Sequence, residues 1–296
     1  MRLTWNELLE KLDELSDAEN PQVFEKYLLE TISSDFYQDS RRNSQRAALY
    51  NELGGFCRAR SIYKKSEDAF LQARQILLAE VGKQHPDYAT TINNLAGLYR
   101  LMGDYDQSRM YFEESIQIYA DTLGKNHFLY TSALNNLGLL YQDMKQYESA
   151  ASLYRQAIEI LQDCPDQVVA YATSMSNLAL ACMSLNNLEE AESIIRHSLE
   201  LYEKSIGRDN GLYAAALNNL AQLNVLTGKF HEAIEIYLKI GQIYVRTHNE
   251  VNRDCATTYE SLAILYAQLG DSLSAATYHE KAQKIRSIIQ EESIRK

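Results

Sequence analysis

The sequence contains few of the residues that interrupt or cross-link a fold. Its 296 residues include only 3 prolines and 12 glycines, while 46% are hydrophobic. Since proline and glycine are the main breakers of regular structure, their scarcity in an apolar-rich chain favours long helices joined by short connections. The same composition excludes an intrinsically disordered chain.

Cysteines are too few and too scattered for a disulfide scaffold or a zinc site. The four cysteines form no CxxC pair and stand at Cys57, Cys164, Cys182 and Cys255. Residues 1–7 lack an apolar secretory segment, and no apolar run approaches the roughly 18–20 residues that a membrane span needs. We therefore expect a cytoplasmic protein with no cofactor and no membrane partner.

A basic surface is also missing. The formal net charge is −11 at pH 7, and acidic and basic residues are mixed along the chain without a long run of one sign. Because an acidic protein repels phosphate, this balance argues against a nucleic-acid partner. Mixed charges of this kind are typical of solvated helix faces.

The chain does contain a sequence repeat, which is clearest at a leucine that recurs once in every unit. These marker leucines are spaced 42, 42, 41, 42 and 42 residues apart, at Leu53, Leu95, Leu137, Leu178, Leu220 and Leu262. A small residue follows each of them directly, at Gly54, Ala96, Gly138, Ala179, Ala221 and Ala263. Further along each unit, a large residue recurs at Phe70, Phe112, Tyr154, Ile195, Tyr237 and His279. Apolar or small residues also recur three or four positions from these residues, as at Ile92 and Tyr99 around Leu95 and at Ser108 and Ser115 around Phe112. Spacings of three and four predict two amphipathic helices in every unit.

Turn signals divide the two helices of each unit, which we call the first and the second helix. They stand at Gly103-Asp104, Lys145-Gln146, Asn186-Asn187, Gly228-Lys229 and Gly270-Asp271. Stop signals follow the second helices at Gly82, Gly124, Gly207 and Asn249, with Cys164-Pro165 in the third unit. Because one hairpin cannot bury its apolar stripe alone, neighbouring units must stack.

The repeated pattern resembles the tetratricopeptide repeat, in a 42-residue form similar to that of kinesin light chain and its bacterial relatives. The clearest stretch runs from Gly82-Lys83-Gln84-His85-Pro86-Asp87 through Asn93-Asn94-Leu95-Ala96-Gly97-Leu98-Tyr99 to Gly103-Asp104-Tyr105. The resemblance implies an all-α, right-handed α-solenoid of six helical hairpins whose first helices form a concave groove. The extra eight residues over the usual ~34 predict longer helices.

The predicted organisation has three parts. Residues 1–45 form an N-terminal helical cap of two short helices, split near Ser16 and Asn20-Pro21. Six repeats cover residues 46–289, at about 46–83, 84–125, 126–165, 166–207, 208–249 and 250–289. Residues 290–296 form a C-terminal tail. A terminal repeat needs a cover over its apolar face, which favours the capping role.

Asparagines recur just before the marker leucines, although asparagine is a poor helix former. We call Asn94, Asn136, Asn177 and Asn219 the ladder asparagines; a second row one position earlier contains Asn93, Asn135 and Asn218. The resemblance implies that the ladder faces the groove, where an amide can donate to and accept from a peptide backbone. The alternative is structural, with the same amides bridging adjacent first helices.

Other positions of the predicted groove are mostly neutral. The resemblance implies that Thr90, Ser132, Thr173 and Ala215 line one edge and that Arg100, Gln142, Met183 and Val225 line the other. Arg100 is the one cation that we counted among these positions, which disfavours the binding of chaperone C-terminal carboxylates that some family members perform. A tyrosine row at Tyr88, Tyr130, Tyr171 and Tyr213 is expected to pack in the core.

Motifs of catalysis are missing. The sequence has no HExxH, GxxxxGK[ST], GxGxxG or GxSxG, and His231-Glu232 lacks a second histidine. His279 falls at a core position, and Cys57 and Cys182 stand where other units carry tyrosine. We therefore predict no catalytic residue, no metal ligand and no enzymatic activity.

The predicted function is a protein–protein interaction scaffold or adaptor that holds a peptide or a partner helix in its groove. The alternative is a bacterial peptide-sensing regulator of the tetratricopeptide class, which acts by protein contact. A third possibility is a subunit of a larger signalling assembly that uses residues 1–45 for docking. The sequence leaves the oligomeric state open.

Overall fold

The computed structural model describes residues 4–17, 21–248 and 251–294, and this part of the chain is all-α. It begins with α1 (Trp5–Asp17), α2 (Pro21–Ser33), the short α3 (Asp35–Gln38) and a 3-10 turn at Ser40–Arg42. The first helices of the repeats are α4 (Asn43–Ala59), α6 (Pro86–Met102), α8 (Phe128–Asp143), α10 (Val168–Ser184), α12 (Gly211–Leu226) and α14 (Arg253–Gln268). The second helices are α5 (Tyr63–Glu80), α7 (Tyr105–Thr122), α9 (Tyr147–Leu161), α11 (Leu188–Ser205), α13 (Phe230–His248) and α15 (Ser272–Ile294).

These helices pack as pairs of chain neighbours, which confirms the all-α solenoid fold expected from the repeat. Helix α4 packs on α5 and α6 on α7, and the same holds for the pairs α10–α11, α12–α13 and α14–α15. Helices α4 to α14 are 15–19 residues long, so the 42-residue unit is accommodated by longer helices. The segment predicted as a tail, from residue 290, continues α15 to Ile294; residues 295–296 lie outside the described part.

Two compact units make up the chain, residues 1–140 and residues 141–296. In the first unit, one apolar core joins the N-terminal helices to α4. Its buried members from the N-terminal helices are Leu8, Leu12, Phe24, Leu28, Ile32 and Tyr37, and they pack with Leu49, Leu53 and Phe56 of α4. Helices α1 and α2 match the two short helices that were predicted, whereas α3 and the 3-10 turn were not foreseen.

The small residue after each marker leucine has a packing reason. A Cβ at Gly54 would lie 2.5 Å from the ring of Phe70, so only glycine leaves room for that ring. The second helix also bonds to the backbone at this position: Ser66 Oγ donates to the carbonyl of Gly54 at 2.7 Å, and Ser108 Oγ donates to that of Ala96 at 2.8 Å. A larger residue would separate the paired helices.

The turns inside the hairpins adopt the left-handed conformation that their residues predicted. Positive φ values occur at one repeat position throughout, at Ser61, Gly103, Lys145, Asn186, Gly228 and Gly270. The stop signals at Gly82, Gly124 and Gly207 have positive φ as well, while Asn249 lies outside the described residues. Non-glycine residues tolerate this region only at a cost, so the turn geometry is imposed by the packing of the two helices.

One predicted core residue is not in the core. The large residues of the first five units, from Phe70 to Tyr237, are at most 5% exposed, but His279 is exposed and bonds to Gln283 at 2.8 Å. None of the described elements covers this side of α15. The sixth residue of the series, His279, therefore has no apolar partner there, and it is polar. The tyrosine row is buried at Tyr88 and Tyr130 and half-buried at Tyr171 and Tyr213.

Candidate functional site

The candidate site is the row of ladder asparagines on the first helices. Helices α4 and α6 contact each other in the first unit, and α10 and α12 do so in the second. All four ladder side chains are half-buried. The surrounding packing therefore restrains each amide while leaving part of it open to a ligand.

The four amides are not equivalent. Asn219 Nδ2 donates to the backbone carbonyl of Ser176 at 3.1 Å, which links α12 to the neighbouring first helix α10. At Asn94, Asn136 and Asn177, the side-chain amide forms no hydrogen bond with any residue in the described ranges 4–17, 21–248 and 251–294. The amide of Asn219 thus contributes to the structure, whereas the amides of the other three ladder asparagines remain able to donate and accept hydrogen bonds with a ligand.

The second row of asparagines is partly engaged in hydrogen bonds within and between the first helices. Asn51 Nδ2, at the same repeat position, donates to Thr91 Oγ1 on the next first helix at 2.9 Å. Asn135 is buried, and its Nδ2 donates to the Thr131 carbonyl of its own helix at 3.0 Å. Asn93 is half-buried, and its Oδ1 is enclosed without a hydrogen-bond donor from the described residues. Asn218 is half-buried. Asn93 and Asn218 are therefore as exposed as the ladder asparagines, and Asn135 is the buried member of this row.

Threonines four residues before the ladder asparagines are bonded to the second helices. Thr90 Oγ1 lies 2.8 Å from the Tyr119 hydroxyl, and Thr173 Oγ1 lies 2.8 Å from the Tyr202 hydroxyl. Each threonine donates to a carbonyl one turn earlier in its helix, so the tyrosine donates to the threonine. Burial raises the pKa of Tyr119 to about 12 and also raises the pKa of Tyr202. These pairs fix the orientation of each hairpin and leave the threonine positions neutral.

Arg100 is accompanied by a second cation, which corrects the sequence analysis. Arg58 of α4 holds the same repeat position, and its Nη1 donates to the Asn94 carbonyl at 3.3 Å. Gly97 makes room for it, since a Cβ there would lie 3.0 Å from Arg58 Nη1. Burial and then the charge of Arg100 lower the pKa of Arg58. This end of the row therefore carries positive charge next to the Asn94 amide.

In the second unit, several residues three and six positions after the ladder position are apolar, and we call them the apolar strip. Leu180 of α10 and Val225 of α12 are half-buried, Met183 is buried, and Ile264 of α14 is 60% exposed. Gln142 is half-buried and accepts a hydrogen bond from the Tyr154 hydroxyl. Amides beside an apolar strip can hold the backbone and an apolar side chain of one ligand.

The described residues offer nothing that resembles a catalytic or metal centre. In the described ranges, no three histidine, cysteine, aspartate or glutamate side chains come together as a metal site would require. Cys57 and Cys182 are fully buried, and burial raises the pKa of each thiol to about 11, so both remain protonated at neutral pH. Among the helices of the described part, none combines the length and the apolar character of a membrane span.

Comparisons with known proteins agree with the repeat. The model of the tetratricopeptide repeat family matches residues 45–119, 87–163, 170–244 and 224–287. No curated protein sequence matches the chain.

Solved structures with the same fold share little sequence with the chain. BtubC (BKLC) from P. vanneervenii is 22% identical with a TM-score of 0.62, over 78% of this chain and 92% of that one. A Rap protein solved in complex with competence and sporulation factor is 15% identical, with a TM-score of 0.60 over 97% of both chains. Aspartyl phosphate phosphatase F from Bacillus subtilis is 17% identical, with a TM-score of 0.61 over 95% of this chain and 80% of that one.

Proposed function

Because the chain belongs to the tetratricopeptide repeat family, we propose that it is a protein-interaction scaffold that holds a peptide or a partner helix against its first helices. The observation that carries the proposal is the set of restrained but unbonded ladder amides at Asn94, Asn136 and Asn177. A side-chain amide can bond both the N–H and the C=O of a ligand backbone, which secures a peptide with little regard to its sequence. A ligand held on the first unit would then meet Arg58 and Arg100, and a ligand held on the second unit would meet the apolar strip.

A selection experiment tests this function even though the natural partner is unidentified. The immobilised full chain is challenged with a displayed library of random 15-residue peptides, and the dissociation constants of the enriched peptides are measured by fluorescence polarisation. We expect Asn94→Ala or Asn177→Ala to weaken binding about 2- to 12-fold, the equivalent of one lost hydrogen bond of about 0.5–1.5 kcal/mol. Ladder variants that bind every enriched peptide as tightly as the parent chain would refute the proposal.

A peptide-sensing regulator that acts by protein contact is the second candidate. It is favoured by the similarity of the fold to the Rap protein that was solved with competence and sporulation factor. Hydrogen exchange separates the two functions. A scaffold should gain protection only in the first helices that touch the peptide, whereas a regulator should also show changed protection in α1–α3, far along the chain from the ladder.

A further inference from the structure

A second site is suggested by the way in which the junctions between hairpins are filled. In the first unit, Arg74 of α5 fills the space between α5 and the next hairpin. Its guanidinium carbon lies 5.9 Å from the ring centroid of Tyr88 on α6 and 5.8 Å from that of Tyr111 on α7. Its Nε also donates to the Tyr88 hydroxyl at 3.3 Å. One long side chain and one tyrosine therefore close this junction.

The corresponding junction of the last hairpin has lost both side chains. The repeat position of Arg74 is occupied by Ile116, Ile158 and Leu199 in later units, but by Gly241 in α13. The position of Tyr88, which is tyrosine in four successive units, is Cys255 in α14. A hollow of about 370 Å³ lies beside Gly241, between α13, α14 and α15. Its lining includes Leu238, Gly241, Val245, Tyr259, Tyr278 and Lys281.

Packing does not demand the glycine. Gly241 lies inside α13 without a positive φ, and a Cβ there would lie 3.4 Å from Tyr259 Cε1, which is an ordinary contact. Glycine in a helix interior is less favourable than alanine because it fixes a freer backbone. Gly241 weakens the helix, and no neighbouring residue requires it. We therefore explain this glycine by the space that it leaves open.

The chemistry of the hollow defines what can enter it. Tyr259 and Tyr278 present aromatic surface with their ring centroids 5.8 Å apart, and Val245 is 40% exposed at the wall. Lys281 Nζ lies 5.5 Å and 5.3 Å from the centroids of these two rings. Among the described residues Lys281 has no acidic partner, whereas Arg246 at the rim is paired with Asp209. The hollow thus combines an apolar base with one positive charge that no acidic side chain of the described residues pairs with.

We propose that this hollow, formed by α13, α14 and α15, binds a bulky apolar side chain of a partner protein that carries a carboxylate next to it. The apolar side chain replaces the isoleucine, leucine or arginine that fills the equivalent junctions, and the carboxylate pairs with Lys281. A large side chain seated in a preformed pocket is the usual anchor of a protein interface. The site is distinct from the ladder asparagines, so the chain can hold two segments at once.

The test uses the same displayed library of random 15-residue peptides, with three variants of the full chain. Gly241→Leu restores the filled junction and should reduce the recovery of the hollow-binding peptides and their affinity at least about tenfold, as expected for the loss of an anchor. Gly241→Ala is the matched control: like Gly241→Leu it raises helix propensity, but its methyl group does not fill the hollow. This variant should therefore bind these peptides like the parent chain. Lys281→Met should keep the bulky apolar residue in the selected peptides but lose the preference for aspartate or glutamate beside it.

Selection of acidic peptides would be specific evidence for the site, because a chain of net charge −11 repels such peptides unless a particular cation binds them. Peptides that need the hollow should bind Asn177→Ala normally, which separates this site from the ladder and its proposed function. The proposal is wrong if no enriched peptide loses affinity in a folded Gly241→Leu chain, or if the peptides that do lose affinity lack a bulky apolar residue. If Gly241→Leu does not fold, unchanged peptide preferences in Lys281→Met would overturn the proposal.

Discussion

At the scale of single residues, the ladder asparagines differ in what surrounds them. Asn219 bonds the carbonyl of Ser176 on the neighbouring helix, whereas no such bond is described for Asn177 one hairpin earlier. Asn177 and Asn219 hold equivalent positions in successive repeats. A comparison of the two therefore tests whether a ladder asparagine binds a ligand or stabilises the fold.

We expect Asn219→Ala to lower the free energy of unfolding by about 0.5–1.5 kcal/mol, because the bond between α10 and α12 is lost. Asn177→Ala should leave stability unchanged or raise it slightly, since alanine is the better helix former, while weakening capture of a groove peptide. Urea unfolding followed by circular dichroism and peptide binding would be measured for both variants. An Asn177→Ala chain that is markedly less stable yet binds normally would show that this amide is structural as well.

The sequence identified the ladder because its signal is the recurrence of a poor helix former. It could not tell which amides are engaged, since the partner of Asn219 is a backbone carbonyl that no residue type reveals. Arg58 was missed for a related reason: it stands in the first unit, where the ladder position holds Glu52, so the row was read only from Asn94 onwards. Arg58 stands six residues after Glu52, as Arg100 does after Asn94, so extending the row to the first unit would have found it.

At the scale of helices and turns, the left-handed residue between paired helices offers a direct test of stability. Lys145 has φ of 59° at an exposed turn, where the equivalent residue Gly103 has φ of 82°. A Cβ makes this region unfavourable by roughly 1–2 kcal/mol per residue, and glycine avoids the strain at the expense of a freer unfolded chain.

Lys145→Gly should therefore raise the free energy of unfolding, by about 0.5–1 kcal/mol, and Gly103→Ala should lower it by a similar or larger amount. Thermal and urea unfolding of the two variants would be compared with the parent chain. Equal stability of all three chains would mean that the turns relax to another conformation.

The N-terminal helices invite a second test at this scale, because adjacent leucines in α2 have opposite environments. Leu28 is fully buried in the core shared with α4, while its neighbour Leu29 is 37% exposed. Leu28→Ala should destabilise the first unit by about 2–5 kcal/mol, and Leu29→Ala should change stability by less than about 0.5 kcal/mol.

Deletion of residues 1–40 should have a still larger effect and cause aggregation, because it uncovers Leu49, Leu53 and Phe56 of α4. Light scattering and chemical unfolding would measure both effects. A truncated chain that stays monodisperse and equally stable would assign the N-terminal helices to partner docking.

Helices α4 to α15 were predictable from sequence because the same apolar positions return six times, which averages out the ambiguity of any single segment. The short α3 and the 3-10 turn after it have no repeat to support them. Their four and three residues are held by local bonds, such as those of Asp39 to Arg41, and by burial of Tyr37. Sequence periodicity carries no information over so few residues.

At the scale of the whole molecule, the many buried tyrosines set a limit to alkaline stability. Burial raises the pKa of Tyr119 to about 12 and that of Tyr244 to about 12, above the value near 10 of an unfolded chain. A raised tyrosine pKa means that the neutral form is favoured by the fold, so its contribution is complete below pH 10 and is lost between pH 10 and 12.

We therefore expect the urea midpoint to fall between pH 10 and 12, by the equivalent of about 2 kcal/mol for Tyr119 and by less for the half-buried Tyr244, whose charge water screens. Tyrosinate absorbance near 295 nm should rise together with the loss of helical circular dichroism. Tyr119→Phe should flatten the dependence on pH, since it removes one ionisable group while keeping its ring. Tyrosinate absorbance that develops fully without loss of helix would contradict the prediction.

The packing of each helix on its neighbours in the chain has a mechanical consequence. Within each unit, the described hairpins contact their neighbours along the chain, so a pulling force applied to the chain ends can detach one of these hairpins without breaking the interior of the others. Each detachment releases about 42 residues, or roughly 140–150 Å of extended chain at about 3.3–3.6 Å per residue. Single-molecule stretching should therefore record a series of extension steps of similar length at low force. A chain built in this way would extend reversibly, one hairpin at a time.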